Sequence, residues 1–169
     1  MSFHERSDSM TPSAGAARKF PATALTGPYA DGLDLPYWEG LRSGELRLQR
    51  CGECDLWIWG PRWMCGRCQT FDPEWVAVEP AGRVFSWSRT WHPFIPELAG
   101  ELPYVTVLVE LPHAGGRRVL GLLAESGETD IAIDDAVTGL IQQPSEAPWP
   151  LLRWQRAHTS SETERGAQR

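Results

Sequence analysis

The four cysteines of the chain stand in two pairs whose spacing is typical of a metal site. They lie in the motifs Cys51-Gly52-Glu53-Cys54 and Cys65-Gly66-Arg67-Cys68, which ten residues separate. Two residues between thiolates let one turn present two sulfurs to one ion, and two such turns complete a tetrahedron. Four thiolates saturate zinc and leave no open coordination position. We therefore predict one structural zinc ion per chain, held by Cys51, Cys54, Cys65 and Cys68.

Three other uses of the same cysteines remain open. Two disulfides would require an oxidising compartment, two redox-active pairs would require exchange chemistry, and a rubredoxin-like iron centre would use the same four ligands. The first 30 residues lack the continuous apolar segment that directs secretion, which argues against the disulfides. Zinc is the favoured interpretation, and its binding would supply much of the folding free energy of so small a module.

The rest of the sequence offers no convincing catalytic set. His4 and His158 fall in predicted tails, His113 falls in a predicted hairpin loop, and His92 follows a predicted strand. Neither a nucleophile elbow of the G-x-S-x-G type nor a Walker-type phosphate loop occurs. We predict no catalytic residue in this chain.

A short helix is predicted before the cysteines. Asp34 is a candidate cap, Pro36 suits the first turn, and Gly44 suits a left-handed stop. The apolar face repeats every three residues and consists of Leu35, Trp38 and Leu41. A helix of this length is not stable alone, so this face must pack against a neighbour.

Short strands account for most of the remaining pattern. Residues 46–50 run into the first cysteine pair and residues 75–78 follow the second. Five further strands are predicted at residues 83–91, 104–111, 118–124, 136–142 and 151–156. The first of the five alternates, which predicts that one face carries Arg83, Phe85, Trp87, Arg89 and Trp91. Five short strands in about 75 residues favour a five-stranded OB-fold barrel.

Composition limits the function classes. The chain has 169 residues, 41% of them hydrophobic, with nine tryptophans and a net charge of −6. This content excludes a fully disordered chain, and the acidic balance argues against nucleic acid. Because no run of about 18 apolar residues occurs, no membrane span is predicted and the expected compartment is the cytoplasm.

Several segments together resemble one known family. They are Tyr37-Trp38-Glu39-Gly40-Leu41, residues 44–54, Pro61-Arg62 before the second cysteine pair, residues 82–88, and Pro103-Tyr104-Val105. Over about residues 33–156 the chain resembles the acyl-CoA-associated zinc-ribbon/OB-fold proteins, catalogued as domain-of-unknown-function family 35. Asp55 and Gln69 depart from the pattern, since glycine often follows each cysteine pair in the family. Residues 134–137 match only loosely.

The resemblance implies a mainly β fold: a short N-terminal helix, a rubredoxin-like zinc ribbon, and a five-stranded OB-fold barrel. The predicted domains are a disordered or extended tail at 1–32, helix plus ribbon at 33–80, barrel at 81–157, and a flexible tail at 158–169.

The resemblance also implies a function. Family members are similar to non-catalytic small subunits of thiolase-fold enzymes that act on acyl-CoA: thiolases, acyltransferases and steroid side-chain aldolases. Some are associated with acyl-CoA hydratases. We expect a heterotetramer with two copies of each chain, in which this protein orders the partner's site and helps hold the acyl-CoA. The alternative is a single-stranded nucleic-acid-binding module, since ribbons and OB barrels both serve there.

Two groups of residues are candidates for these contacts. Seven tryptophans fall between residues 38 and 91, more than a zinc ribbon can easily enclose. The predicted partner-binding residues are Trp38, Trp57, Trp59 and Trp63. Arg83 and Arg89 are candidates for the CoA phosphates, because guanidinium groups match phosphate oxygens. Arg117 and Arg118 are of the same chemical type, but their Gly-Gly-Arg-Arg segment is interpreted as a turn.

Overall fold

The computed structural model describes residues 27–94, 102–125, 129–144 and 147–157. These residues form one α-helix, eight strands and a single 3₁₀ turn. The predicted mainly β fold of helix, ribbon and OB-fold barrel is confirmed. The elements are α1 (Leu35–Arg42), β1 (Leu46–Arg50), β2 (Trp57–Ile58), β3 (Glu74–Val78), β4 (Ala81–Thr90), β5 (Tyr104–Leu111), the 3₁₀ turn (Pro112–Ala114), β6 (Arg117–Leu123), β7 (Ala136–Gln142) and β8 (Leu151–Arg156). No helix of the described residues is long and apolar enough to cross a membrane.

Helix α1 packs through Leu41, which is almost fully buried, and ends at Arg42. Gly44, two residues later, has the predicted left-handed conformation with φ +82. The predicted cap is wrong in one respect, because the Asp34 side chain makes no capping hydrogen bond. Its buried carboxylate instead accepts hydrogen bonds from the Tyr29 backbone N–H at 2.7 Å and from the Trp38 indole at 2.8 Å. A backbone N–H before the helix and the indole of a helix residue therefore take the place of the helix's own free N–H groups.

The ribbon is built on a three-stranded antiparallel sheet in the order β2-β1-β3. Its central strand, β1, buries Leu46 and Leu48 completely. These two leucines belong to the same apolar cluster as the interior of the barrel. The helix, ribbon and barrel thus share one core.

The barrel closes in the order β4-β5-β6-β8-β7. Its pairs are antiparallel except for β6 with β8, which is parallel. The five strands agree with the predicted ones to within two residues at each end. The buried interior positions are Val84, Val105, Val107, Val109, Leu111, Val119, Leu123, Val137, Leu152 and Trp154.

A β-bulge corrects the predicted face of β4. Val84 pairs with Val109 and Ser86 pairs with Leu108, so Phe85 is the extra residue. Because directly opposed residues share a face, Trp87 lies on the same face as its buried partner Val107. The bulge therefore reverses the alternation, and the predicted continuous row of arginines and aromatics does not form.

Candidate metal centre and exposed aromatic surface

The four cysteines converge as the sequence predicts. Their sulfurs all lie within 4.8 Å of one another, with 3.4 Å between Cys51 Sγ and Cys68 Sγ and 3.6 Å between Cys54 Sγ and Cys65 Sγ. A disulfide would need about 2.05 Å, and all four are free thiols. Zinc–sulfur bonds of about 2.3 Å in a tetrahedron put sulfurs about 3.8 Å apart. The arrangement thus fits one tetrahedral ion.

The two cysteine turns repeat the same backbone hydrogen bonds. Asp55 N–H donates to the Cys51 carbonyl and Gln69 N–H donates to the Cys65 carbonyl, each at 3.0 Å. Asp55 and Gln69 have φ values of +58 and +62, in the left-handed region that glycine favours. The two residues that depart from the family's glycines thus adopt the same turn conformation as each other. They place two ordinary side chains in a strained conformation.

Donors directed at the sulfurs favour the thiolate form that binds metal. Hydrogen bonds from the Thr70 hydroxyl and backbone N–H lower the pKa of Cys68 to about 6. The backbone N–H groups of Cys68 and Arg67 lower the pKa of Cys65. The Leu56 N–H lowers the pKa of Cys54, but desolvation and three neighbouring sulfurs outweigh it and raise that pKa to about 12. Such crowding of sulfur charge is what a divalent cation would neutralise.

The loop between the cysteine pairs is tied to β1 by a buried glutamine that sequence reasoning missed. Gln49 is 3% exposed. Its Nε2 donates to the Arg62 carbonyl at 3.1 Å, and its Oε1 accepts from the Arg62 N–H at 2.8 Å. The sequence gives no signal of it, because Gln49 falls on the polar side of the alternating strand with Arg47. We call these two hydrogen bonds the Gln49 clip; they hold the backbone next to Trp63.

The four predicted partner-binding tryptophans differ in exposure. Trp38, Trp57 and Trp59 are half-buried and pack against the chain's own core. Trp38 has an intramolecular neighbour in Trp149, with ring centroids 6.1 Å apart. Trp63 is 54% exposed. A partner contact stays a prediction for all four, and Trp63 offers the most free surface.

Trp63 is one of three exposed apolar residues on the second half of the ribbon. Met64 is 39% exposed and forms an isolated bridge with Phe71, which is 67% exposed. We call Trp63, Met64 and Phe71 the ribbon patch. Sequence analysis did not single out Met64 or Phe71, because neither has a periodic pattern around it.

The candidate phosphate ligands Arg83 and Arg89 do not converge. Arg83 pairs with Glu110 on the outer face and Arg89 pairs with Val105 on the inner face. Each guanidinium donates to a loop carbonyl, Arg83 to Asp134 at 3.1 Å and Arg89 to Thr129 at 2.9 Å. If both contact CoA, they contact different parts of it, and that role stays a prediction.

The two histidines that the structure describes have different surroundings. His92 is exposed, with its ring 5.6 Å from the ring of Phe94. His113 is in the 3₁₀ turn, with Nε2 2.9 Å from the Glu79 carbonyl. His4 and His158 lie outside the described residues.

Comparisons with known proteins agree with this geometry. Residues 38–74 match the family model described as the ChsH2 rubredoxin-like zinc ribbon domain, and residues 75–141 match the ChsH2 C-terminal OB-fold domain. A probable enoyl-CoA hydratase alpha subunit from Thermomonospora curvata is 36% identical over 91 residues. That match covers 53% of this chain and 28% of the relative's length.

Two solved structures share the fold. A chain of the Ltp2-ChsH2(DUF35) aldolase is 27% identical, with a TM-score of 0.68 over 78% of this chain and 100% of that chain. A DUF35 protein of unknown function from Sulfolobus solfataricus is 20% identical, with a TM-score of 0.51 over 80% of this chain and 90% of that one. The chain therefore belongs to the DUF35 zinc-ribbon/OB-fold family, with the two domains of the ChsH2 type.

Proposed function

We propose that this protein is a non-catalytic accessory subunit of a thiolase-fold enzyme that acts on acyl-CoA. The observation that carries the proposal is the similarity to a chain of the Ltp2-ChsH2(DUF35) aldolase, which this protein matches over that chain's whole length. The partial match to a probable enoyl-CoA hydratase alpha subunit supports acyl-CoA as the substrate class. Of the reactions open to such a partner, carbon–carbon cleavage of the retro-aldol type agrees best with these relatives.

The metal centre has a structural role in this proposal. Four cysteine ligands would leave zinc no position for substrate. Zinc would fix both cysteine turns, and the Gln49 clip fixes the backbone between them. The ribbon patch is thereby held in place before any partner arrives, so that little conformational entropy is lost on association.

The ribbon patch is the proposed anchor for the catalytic partner. Trp63 and Phe71 expose 54% and 67% of their surfaces. Aromatic side chains at the centre of an interface each contribute about 2 kcal/mol or more. A stable complex buries on the order of 1,600 Å², so the patch would be the centre of a larger contact. Two copies of each chain are the proposed stoichiometry.

Affinity purification of the chain from its native host, with mass spectrometry and light scattering, tests this function. A thiolase-fold protein should copurify in equal amount. The isolated chain should turn over no acyl-CoA, and the reconstituted complex should stay active after His92→Ala and His113→Ala. Acyl transfer or cleavage by the isolated chain would contradict the proposal. So would a chain that purifies alone and binds single-stranded DNA with the steep salt dependence of phosphate contacts.

A further inference from the structure

We propose that the open edge of β6 binds an extended acidic segment of another protein as an added antiparallel strand. Strand β6 pairs with β5 from Arg117 to Leu122, but on its other side it pairs with β8 only at Leu122 and Leu123. Within the part of the chain that the structure describes, no strand pairs with residues 117–121 on that side. This edge is separate from the ribbon patch, so the inference goes beyond the proposed function.

The hydrogen bonds to β8 show which backbone groups are free. The Ala124 N–H donates to the Trp154 carbonyl at 2.7 Å, so Ala124 directs its backbone groups away from β5. Successive residues of a strand direct their N–H and C=O groups to opposite sides. Those of Arg118 and Leu120 therefore face the open side, whereas those of Val119 face β5. We call the N–H and C=O groups of Arg118 and Leu120 the β6 edge.

The segment before β8 explains why the edge stays open. To extend the parallel pairing with β6, residues 148–150 would have to lie beside it, but they are held on helix α1. Arg42 donates to the Pro148 carbonyl at 3.0 Å, and its guanidinium lies 3.5 Å from the centroid of the Trp149 ring. Pro148 and Pro150 also have no N–H to donate to a neighbouring strand. This segment therefore does not cover the β6 edge.

The charges beside the β6 edge select an acidic ligand. Glu110 is the cross-strand neighbour of both Arg83 and Arg118 on the outer face of the barrel. Among the ion pairs of the described residues, Glu110 is used by Arg118 and none includes Arg117. Positive charge is thus in excess here, although the whole chain carries −6. Charged side chains on an edge strand deter neutral strands and strands of like charge, and an acidic strand is the one they favour.

The side chains of β6 also fix the spacing that the ligand needs. Arg118 and Leu120 lie on the same outer face, and Leu120 is 63% exposed. Directly opposed residues of an antiparallel pair share a face, so an acidic residue would lie opposite Arg118 and an apolar residue opposite Leu120. Because the added strand runs in the opposite direction to β6, its pattern is apolar-x-acidic. Recognition of this kind takes affinity from the main chain and specificity from alternate side chains.

Hydrogen exchange of the full zinc-loaded chain tests the geometry of the edge. The Leu120 amide should exchange at least about tenfold faster than the Val119 amide, because only the latter is bonded to β5. Equal protection of the two amides would show that the edge is closed and would overturn the proposal. Protection of Leu120 that grows with protein concentration would overturn it as well, in favour of a second copy of this chain.

Four blocked peptides test the ligand by nuclear magnetic resonance titration. The acidic peptide repeats Thr-Glu-Thr-Val twice, and the basic peptide has lysine in place of glutamate. Two N-methylated forms of the acidic peptide carry the methyl groups either on Glu and Val, whose N–H groups would face β6, or on Thr, whose N–H groups would face away. The acidic peptide and its Thr-methylated form should bind with a Kd on the order of 1 mM or tighter. The other two should bind at least about tenfold more weakly.

The site of binding is read from the same amides. At saturation the acidic peptide should slow exchange of the Leu120 amide by about tenfold and leave the Val119 amide unchanged. Arg118→Gln should weaken binding of the acidic peptide by about tenfold, because it removes a positive charge and leaves the Glu110 carboxylate to repel the ligand. Arg62→Gln, at an exposed arginine between the cysteine pairs, is the matched control and should leave binding unchanged.

Three results would overturn the proposal. They are an acidic peptide that does not bind, a Glu- and Val-methylated form that binds as tightly as the unmethylated peptide, and an Arg118→Gln chain that binds as the wild type does. If Arg118→Gln does not fold, the methylated peptides decide the matter with the wild-type chain. None of these measurements involves the ribbon patch or a catalytic partner, so the accessory-subunit proposal keeps its own test.

Discussion

The Gln49 clip predicts that one buried side chain of the ribbon stabilises the exposed loop that carries Trp63. The side chain is 3% exposed and makes two hydrogen bonds with the backbone of Arg62, at 3.1 Å and 2.8 Å. Gln49→Met keeps the size of the side chain and removes both bonds. At about 1 kcal/mol for each bond, and with water able to reach the exposed Arg62, the loss in unfolding free energy should be about 2 kcal/mol.

Two assays separate this effect from general destabilisation. Chemical denaturation of the zinc-loaded chain should show the loss of about 2 kcal/mol, while zinc content stays at one ion per chain. Hydrogen exchange of the Arg62 amide should accelerate by at least about tenfold. Gln155→Met, at a half-buried position of β8, is the control and should change neither. Unchanged exchange at Arg62 in Gln49→Met would refute the claim that the clip holds the loop.

Three further changes have definite expected results. Cys54→Ser should abolish zinc binding and unfold the ribbon, as seen by metal analysis and circular dichroism, because a hydroxyl is a poor substitute for a thiolate. Gln69→Gly should raise the free energy of unfolding by about 0.5–1 kcal/mol in chemical denaturation, since φ is +62 there. Asp55→Gly should raise it by less, because that substitution also removes the 2.9 Å ion pair with Arg50. Trp57→Ala should lower the free energy of unfolding by about 3 kcal/mol or more, and with it the melting temperature, because the indole packs between ribbon and barrel. An unchanged melting temperature would show that this packing does not stabilise the fold.

Local patterns were sufficient to predict most of the fold. The spacing of the cysteines depends only on the geometry of one turn, so it was enough to predict that the four sulfurs converge. Short strand-like stretches separated by turn residues gave the five barrel strands, to within two residues at each end. Gly44 has the left-handed conformation predicted for it, two residues after the helix ends at Arg42.

The features that sequence reasoning missed depend on contacts between distant segments. The bulge at Phe85 exists only in the register of β4 against β5, so alternation within β4 could not reveal it. The Asp34 carboxylate is the exception, because its donors are local: it accepts hydrogen bonds from the Tyr29 N–H and the Trp38 indole and not from the first free N–H groups of the helix. Gln49 and Arg62 are 13 residues apart, and their pairing follows from how the loop folds back over β1.

The exposure of the tryptophans shows the same limit. Aromatic residues bury apolar surface both in cores and at interfaces, so the sequence gives the number of tryptophans but does not show which of them lie in the core and which are exposed. The structure separates Trp57 and Trp59, which join ribbon to barrel, from Trp63, which faces solvent with Phe71.

The affinity of this chain for the proposed thiolase-fold partner, measured by titration calorimetry with ribbon-patch variants, tests the central claim most directly. Trp63→Ala combined with Phe71→Ala should weaken the complex at least about a hundredfold and leave the zinc content unchanged. The matched control is Trp91→Ala combined with Phe94→Ala, an exposed pair beyond β4 at 65% and 78% exposure, which should bind as the wild type does. An unchanged affinity for the ribbon-patch variant, or a loss confined to the control pair, would contradict the account.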